Sequence, residues 1–113
     1  MKAVWRVMVP VYYNDGRRIP DRVHLEWQDE VVKISRGWTM HATALGAWLE
    51  DGASLPLIED MRPVDILCTE KQLDIIIPVT GRLFKQKVVF AYKLTEDYRE
   101  VRIPDDVDGG RTR

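Results

Sequence analysis

Residues 69–84 read TEKQLDIIIPVTGRLF, and the fold turns on whether they form a strand or a helix. Taken alone, Ile75-Ile76-Ile77-Pro78-Val79 has the β-branched composition of a strand. The wider window has a different period. Leu73, Ile76, Ile77, Thr80, Leu83 and Phe84 fall on one helical face. Thr69, with Gln72 three residues on, has the spacing of a capping box, in which each side chain satisfies an orphan amide of the first turn. Six positions on one face outweigh the short apolar run, so the stretch reads as a helix. Pro78 costs a helix interior about 3 kcal/mol through a lost hydrogen bond and a ring clash, so a kink is expected there.

The elements around it follow from alternation and turn chemistry. From Val4 to Tyr13 the odd positions Trp5, Val7, Val9, Val11 and Tyr13 oppose Val4, Arg6, Met8 and Tyr12. Both sides are apolar enough for a central strand, with a bulge expected at Pro10. Asn14-Asp15-Gly16 supplies a turn. After Pro20 the period becomes helical, with Val23, Trp27, Val31 and Ile34 on one face. Pro20 suits the first turn, and Gly37 is placed to terminate the helix. Trp38 to Leu49 reads as one strand and Glu50-Asp51-Gly52 as a hairpin turn. The strand returns between Leu55 and Cys68, interrupted by Pro56 and Pro63, with its best part at Val64–Cys68. Val88–Leu94 is the last main strand, Tyr98–Ile103 a short extension, and 105–113 a disordered tail.

Strand, helix, strand, strand, helix, strand is the order of an α+β, ferredoxin-like βαββαβ sandwich, in which a four-stranded antiparallel sheet carries two helices on one face. One domain is expected over 1–104. The 113 residues, 45% hydrophobic and 31% charged, fit a globular domain with a core of its own. The single Cys68 forms no intramolecular disulfide and no cysteine-rich zinc site. Seventeen basic and eighteen acidic residues are interspersed without a stripe that would collect phosphates, so nucleic acid is not an expected partner. Arg6 interrupts the apolar start and no small-residue cleavage site follows it, which favours a strand over a signal peptide and a cytoplasmic location with no membrane association.

Trp38-Thr39, Gly46-Ala47-Trp48, Glu59 and Phe84-Lys85-Gln86-Lys87-Val88-Val89 together resemble a group of small bacterial α+β proteins. In these a hairpin carries a threonine, a Gly-x-Trp and a following glutamate, and a Phe-x-Gln precedes the last strand. The resemblance covers roughly residues 5–94; it implies the ferredoxin-like fold and no known activity. Pro78 departs from the pattern.

If Trp38–Leu49 is one regular strand, Trp38, Met40, Ala42, Ala44, Gly46 and Trp48 share a face. Two indoles would then bracket a floor of small residues, which either admits a closely packed helix or holds a small apolar or aromatic ligand, with His41 nearby. The other face carries Thr39, His41, Thr43, Leu45, Ala47 and Leu49, beside Arg6, Met8, Tyr12, Asp65 and Leu67. Met8, Tyr12, Leu45, Leu49 and Leu67 are more apolar than a solvated face requires, so a homodimer through this sheet face is expected. His41, Tyr12, Arg6 and Asp65 are the candidate catalytic residues of an alternative, a cofactor-independent enzyme of the dimeric α+β barrel type. The plainer reading pairs Arg6 with Asp65 across strands and leaves His41 half exposed.

His24 reads as a solvent-edge residue, Cys68 as a buried inert thiol, and Glu59-Asp60 as a solvated turn. Two distant histidines lack metal-ligand spacing, and no phosphate loop, nucleophile elbow or zinc motif occurs. Neither metal nor cofactor is expected. The favoured function is a non-enzymatic oligomeric module that binds a small molecule or protein partner through its open sheet face or an aromatic cleft.

Overall fold

A computed structural model describes residues 1–105. Its elements are β1 (Lys2–Pro10), α1 (Asp21–Ser35), β2 (Thr39–Met40), β3 (Ala44–Trp48), β4 (Leu57–Thr69), α2 (Glu70–Leu83) and β5 (Ala91–Thr95). The antiparallel sheet runs β2-β4-β1-β5, with β3 also paired to β4. With β2 and β3 counted as two halves of one interrupted strand, this is the ferredoxin-like βαββαβ order, and both helices pack on one sheet face. No helix among the described residues is long and apolar enough to cross a membrane. The tail expected over 105–113 lies outside the described residues apart from Asp105.

The interruption has a definite cause. β2 pairs Thr39 with Asp65 and Met40 with Val64, and the His41 amide donates to the Pro63 carbonyl at 2.9 Å. Proline has no N–H to return that bond, so the ladder opens where an antiparallel pair would exchange two. Pairing resumes at Ala44 with Met61, three residues on along one strand and two along the other. The extra residue is a β-bulge, and it reverses which face each later side chain occupies. Trp38–Leu49 is therefore not one regular strand. β4, expected to be broken, is the sheet's longest element at 13 residues, because the irregularity is taken up by its neighbour.

Pro10 causes no bulge. It ends β1, opposite Met61. The Met8 amide points outward to the Phe90 carbonyl, so the Pro10 nitrogen faces the same outer edge beyond the start of β5, where no ladder donor is lost. The last strand is correspondingly shorter than Val88–Leu94, and 98–103 adds none.

α1 begins after Pro20, its N-cap, and stops at Arg36, which takes the left-handed conformation with φ 78°; Gly37 is not the terminating residue. Thr69 and Gln72 form the capping box of α2, and the helix runs unbroken through Pro78. Pro78 and Asp74 lie on the exposed side, where water can reach the Asp74 carbonyl deprived of its donor.

The core between sheet and helices joins Val7, Val9, Val64, Ile66 and Cys68 to Val23, Trp27, Val31, Leu73, Ile76 and Phe84. Burial pushes the Cys68 thiol up to about 11, leaving it protonated and inert at neutral pH. The fully buried Trp27 donates its indole N–H to Thr80 Oγ1 at 2.8 Å, and that hydroxyl donates to the Ile76 carbonyl at 2.7 Å. The two helices are thus joined by a polar chain that leaves neither group orphaned.

His24 is not at a solvent edge. Only 4% exposed, it packs on Phe84 with ring centroids 5.0 Å apart, and its Nδ1 has no partner among the described residues. Burial, reinforced by Arg62, holds its pKa below the ordinary 6.5. The unfolded chain therefore binds a proton that the folded chain resists.

Thr80→Val, nearly isosteric, should cost about 1–3 kcal/mol in urea titration because it strands the Trp27 indole N–H in the core. Stability should fall as pH drops from the unfolded value near 6.5 toward the lower folded value, where the loss levels off. His24→Leu should flatten that part of the profile relative to the parent chain.

Candidate functional site

Register assigns the sheet faces. Arg6 opposes Asp65, Met8 opposes Pro63, and Pro10 opposes Met61, all on the face away from the helices. Because of the bulge, Ala44, Gly46 and Trp48 lie on this same face, opposite Met61, Glu59 and Leu57. Trp38 and Met40 instead pack against the core, and the Trp38 indole N–H is buried without a partner among the described residues. The two tryptophans therefore occupy opposite faces and do not bracket a common floor.

Trp48 has found other company. Its ring centroid lies 5.7 Å from that of Phe90, and Phe90 meets Tyr92 edge-on at 5.4 Å. These rings are each about two-fifths exposed. Trp48 and Phe90 help line a groove of about 570 Å³, with Met8, Pro10 and Met61 below them and Val88 and Val89 at the side. One wall comes from the β3–β4 hairpin and the other from residues 86–90, where β1 has no strand partner on its outer edge. That second wall depends on Gly81. The Gln86 amide donates to the Gly81 carbonyl at 2.8 Å, and a Cβ on Gly81 would lie 3.1 Å from the Gln86 carbonyl oxygen. A side chain there would press on the Gln86 backbone, so glycine favours the close passage of the chain over the end of α2.

Glu59 and Glu50 also line the groove, with Lys87 as the only basic residue. Glu59 belongs to β4 rather than to a solvated turn and is half-buried. Among the described residues neither glutamate side chain has an ion-pair or hydrogen-bond partner. Alternation within the last strand, Phe90 with Tyr92, carried the signal for the aromatic wall. Glu59 and Met61 could not be placed without the pairing of β3.

Three of the four candidate catalytic residues do meet. Arg6 grips Asp65 in a two-point ion pair, Nε to Oδ1 at 2.7 Å and Nη2 to Oδ2 at 3.0 Å. His41 Nε2 lies 2.7 Å from Asp65 Oδ2, and an ionised carboxylate, which only accepts, selects the tautomer whose Nε2–H donates. The 3.3 Å approach of Arg6 Nη2 to the same nitrogen is then a packing contact. Partial burial would raise the Asp65 pKa, but the hydrogen bonds from Arg6 and His41 outweigh it and hold the carboxyl below its ordinary value. Asp65 in turn raises the pKa of Arg6. Tyr12 stands apart in a turn, bridged to Arg18. The His41 side chain is 42% exposed, and the cluster lies outside the groove.

The expected interface residues are scattered. Met8 and Leu67 lie on the face away from the helices, Leu49 lines the groove, and Leu45, opposite Asp60, projects from the reverse side of β3. Exposed apolar side chains also stand on the β3–β4 hairpin, where Leu45, Leu49, Leu55 and Ile58 are each more than 60% exposed.

No family model and no curated protein sequence matches the chain. Solved structures do. CutA1 from Oryza sativa is 14% identical with a TM-score of 0.62, over 88% of this chain and 83% of that one. The divalent cation tolerance protein Cut A1 from Thermus thermophilus is 12% identical with a TM-score of 0.64, over 90% and 88%. A phage SAM lyase in complex with S-methyl-5'-thioadenosine is 16% identical with a TM-score of 0.50, over 88% and 93%. At such identities the likeness is one of fold: the chain is built as these proteins are, in a ferredoxin-like α+β arrangement.

Proposed function

We propose that this protein is a non-enzymatic binding module that takes a small apolar or aromatic molecule in the Trp48–Phe90 groove and associates with a second copy through its exposed hairpin. The groove carries the reading. Its volume of about 570 Å³ lies in the range of small-molecule sites, and its lining combines apolar and aromatic walls with a few polar groups. A structural neighbour of this fold is described in complex with S-methyl-5'-thioadenosine, so a small ligand is compatible with the architecture. The name of the Thermus thermophilus neighbour speaks of divalent cation tolerance, yet among the described residues no three His, Cys, Asp or Glu side chains are grouped to hold a metal ion.

The alternative, an acid-base enzyme, draws on the contact between His41 and Asp65. A general base must lie within hydrogen-bond reach of a bound substrate, and the position of His41 outside the groove favours a structural role for Arg6 and Asp65. The cytoplasmic location expected from the sequence stays part of the proposal.

Two measurements test it. Titration with small aromatic fragments should shift the methyl NMR signals of Met8 and Met61, in the groove, and spare Met40 on the other face; shifts at Met40 alone, or none with any fragment, would remove the groove as the site. For association, Leu45→Lys and Ile58→Lys should keep the far-UV circular dichroism of the parent while converting a sedimenting dimer to monomer. A parent chain that sediments as a monomer would end this part of the proposal.

A further inference from the structure

The groove is not electrically neutral, and this narrows what fits it. Glu59 lines it together with Trp48, Leu57, Met61 and Phe90, and its side chain has no ion-pair or hydrogen-bond partner among the described residues, so no protein cation neutralises its charge. Gly46, directly across from Glu59, projects no side chain, and a Cβ there would meet nothing closer than the Glu59 carbonyl at 3.9 Å. The space beside the carboxylate is therefore open. Trp48 is the diagonal neighbour of Glu59 on the same face, and Phe90 stands against Trp48. The faces of these rings carry negative quadrupole charge and attract cations.

We infer that the groove binds an organic cation with an apolar or aromatic body, its positive centre held between the Glu59 carboxylate and the rings of Trp48 and Phe90. This inference rests on the groove being the ligand site. A neutral ligand would cover Glu59 and desolvate it with no compensation, and an anion would meet Glu50 and Glu59 with only Lys87 to offset them. A bare divalent ion is poorly served, because ring faces supply none of the oxygen or nitrogen donors its shell requires. The attraction of ring and carboxylate for an ammonium-type cation does not depend on hydrogen bonding, so a fully alkylated cation with no N–H qualifies.

The test compares N-methylquinolinium with naphthalene, flat bicyclic molecules of similar size that differ in charge, on the full chain at fixed ionic strength. Binding is read from the Met8 and Met61 methyl signals. N-methylquinolinium should bind at least about tenfold more tightly than naphthalene. Glu59→Gln should remove that preference and leave naphthalene binding unchanged, and Lys87→Met should not weaken the cation. Gly46→Val, which fills the space beside the carboxylate, should weaken both probes; an unchanged circular dichroism spectrum and melting temperature for each variant separates loss of binding from loss of fold. Equal affinity for the two probes, or a cation preference that survives Glu59→Gln, overturns the inference and leaves the groove reading intact. Shifts with zinc or magnesium chloride, abolished by Glu59→Gln and exceeding those with N-methylquinolinium, overturn it in favour of a metal site. No shift at Met8 or Met61 with any probe overturns both.

Discussion

A missing amide hydrogen organises this molecule. Pro63 lies inside β4, the strand that pairs with β1, β2 and β3, and it accepts a hydrogen bond from His41 without being able to return one. The neighbouring strand gains a residue at that point, and everything after it is turned over. The reversal decides that Trp38 helps close the core while Trp48 faces away from the helices. It also places Gly46 and Glu59 side by side on the outer face. A single constraint on the backbone thus divides one sequence motif between stability and surface chemistry.

The helical layer is held by a different device. Apolar burial fixes the helices against the sheet, but the Trp27–Thr80–Ile76 chain specifies how α1 meets α2, because a buried indole N–H tolerates few alternative partners. Phe84 lies at the end of this arrangement, between Trp27 and His24, and the chain leaves it directly for the segment that walls the groove. Core packing and groove geometry are therefore continuous: Gly81 admits the close passage of residues 85–90, and the registry of the helices sets where that passage begins. His24, buried with an unpartnered nitrogen beside Phe84, ties the same region to pH.

On the outer face the polar and apolar residues have separated. Arg6, Asp65 and His41 satisfy one another around one carboxylate. Glu59, in contrast, lines the groove with Trp48, Met61 and Phe90, and its side chain has no ion-pair or hydrogen-bond partner among the described residues. Two carboxylates a few residues apart on the same strand thus differ, one held by a protein cation and one left without.

The sequence by itself determined the order of elements, because amphipathic period and capping chemistry are local. The capping box at Thr69 and Gln72, the stripe of α1 and the Arg6–Asp65 pair were all legible, the last because regular strands fix their cross-strand partners. Pro78 misled little, since a helix can leave one solvent-facing carbonyl to water. What the sequence could not determine was parity across the bulge: Pro63 acts on a residue more than twenty positions away, through a hydrogen bond that exists only once the strands are paired. The same holds for His24, whose burial depends on Phe84 arriving from the second helix, and for Glu59, a turn residue until β3 is laid beside it. Tertiary structure decided these because each is set by a partner distant in the chain, and periodicity carries information only about neighbours.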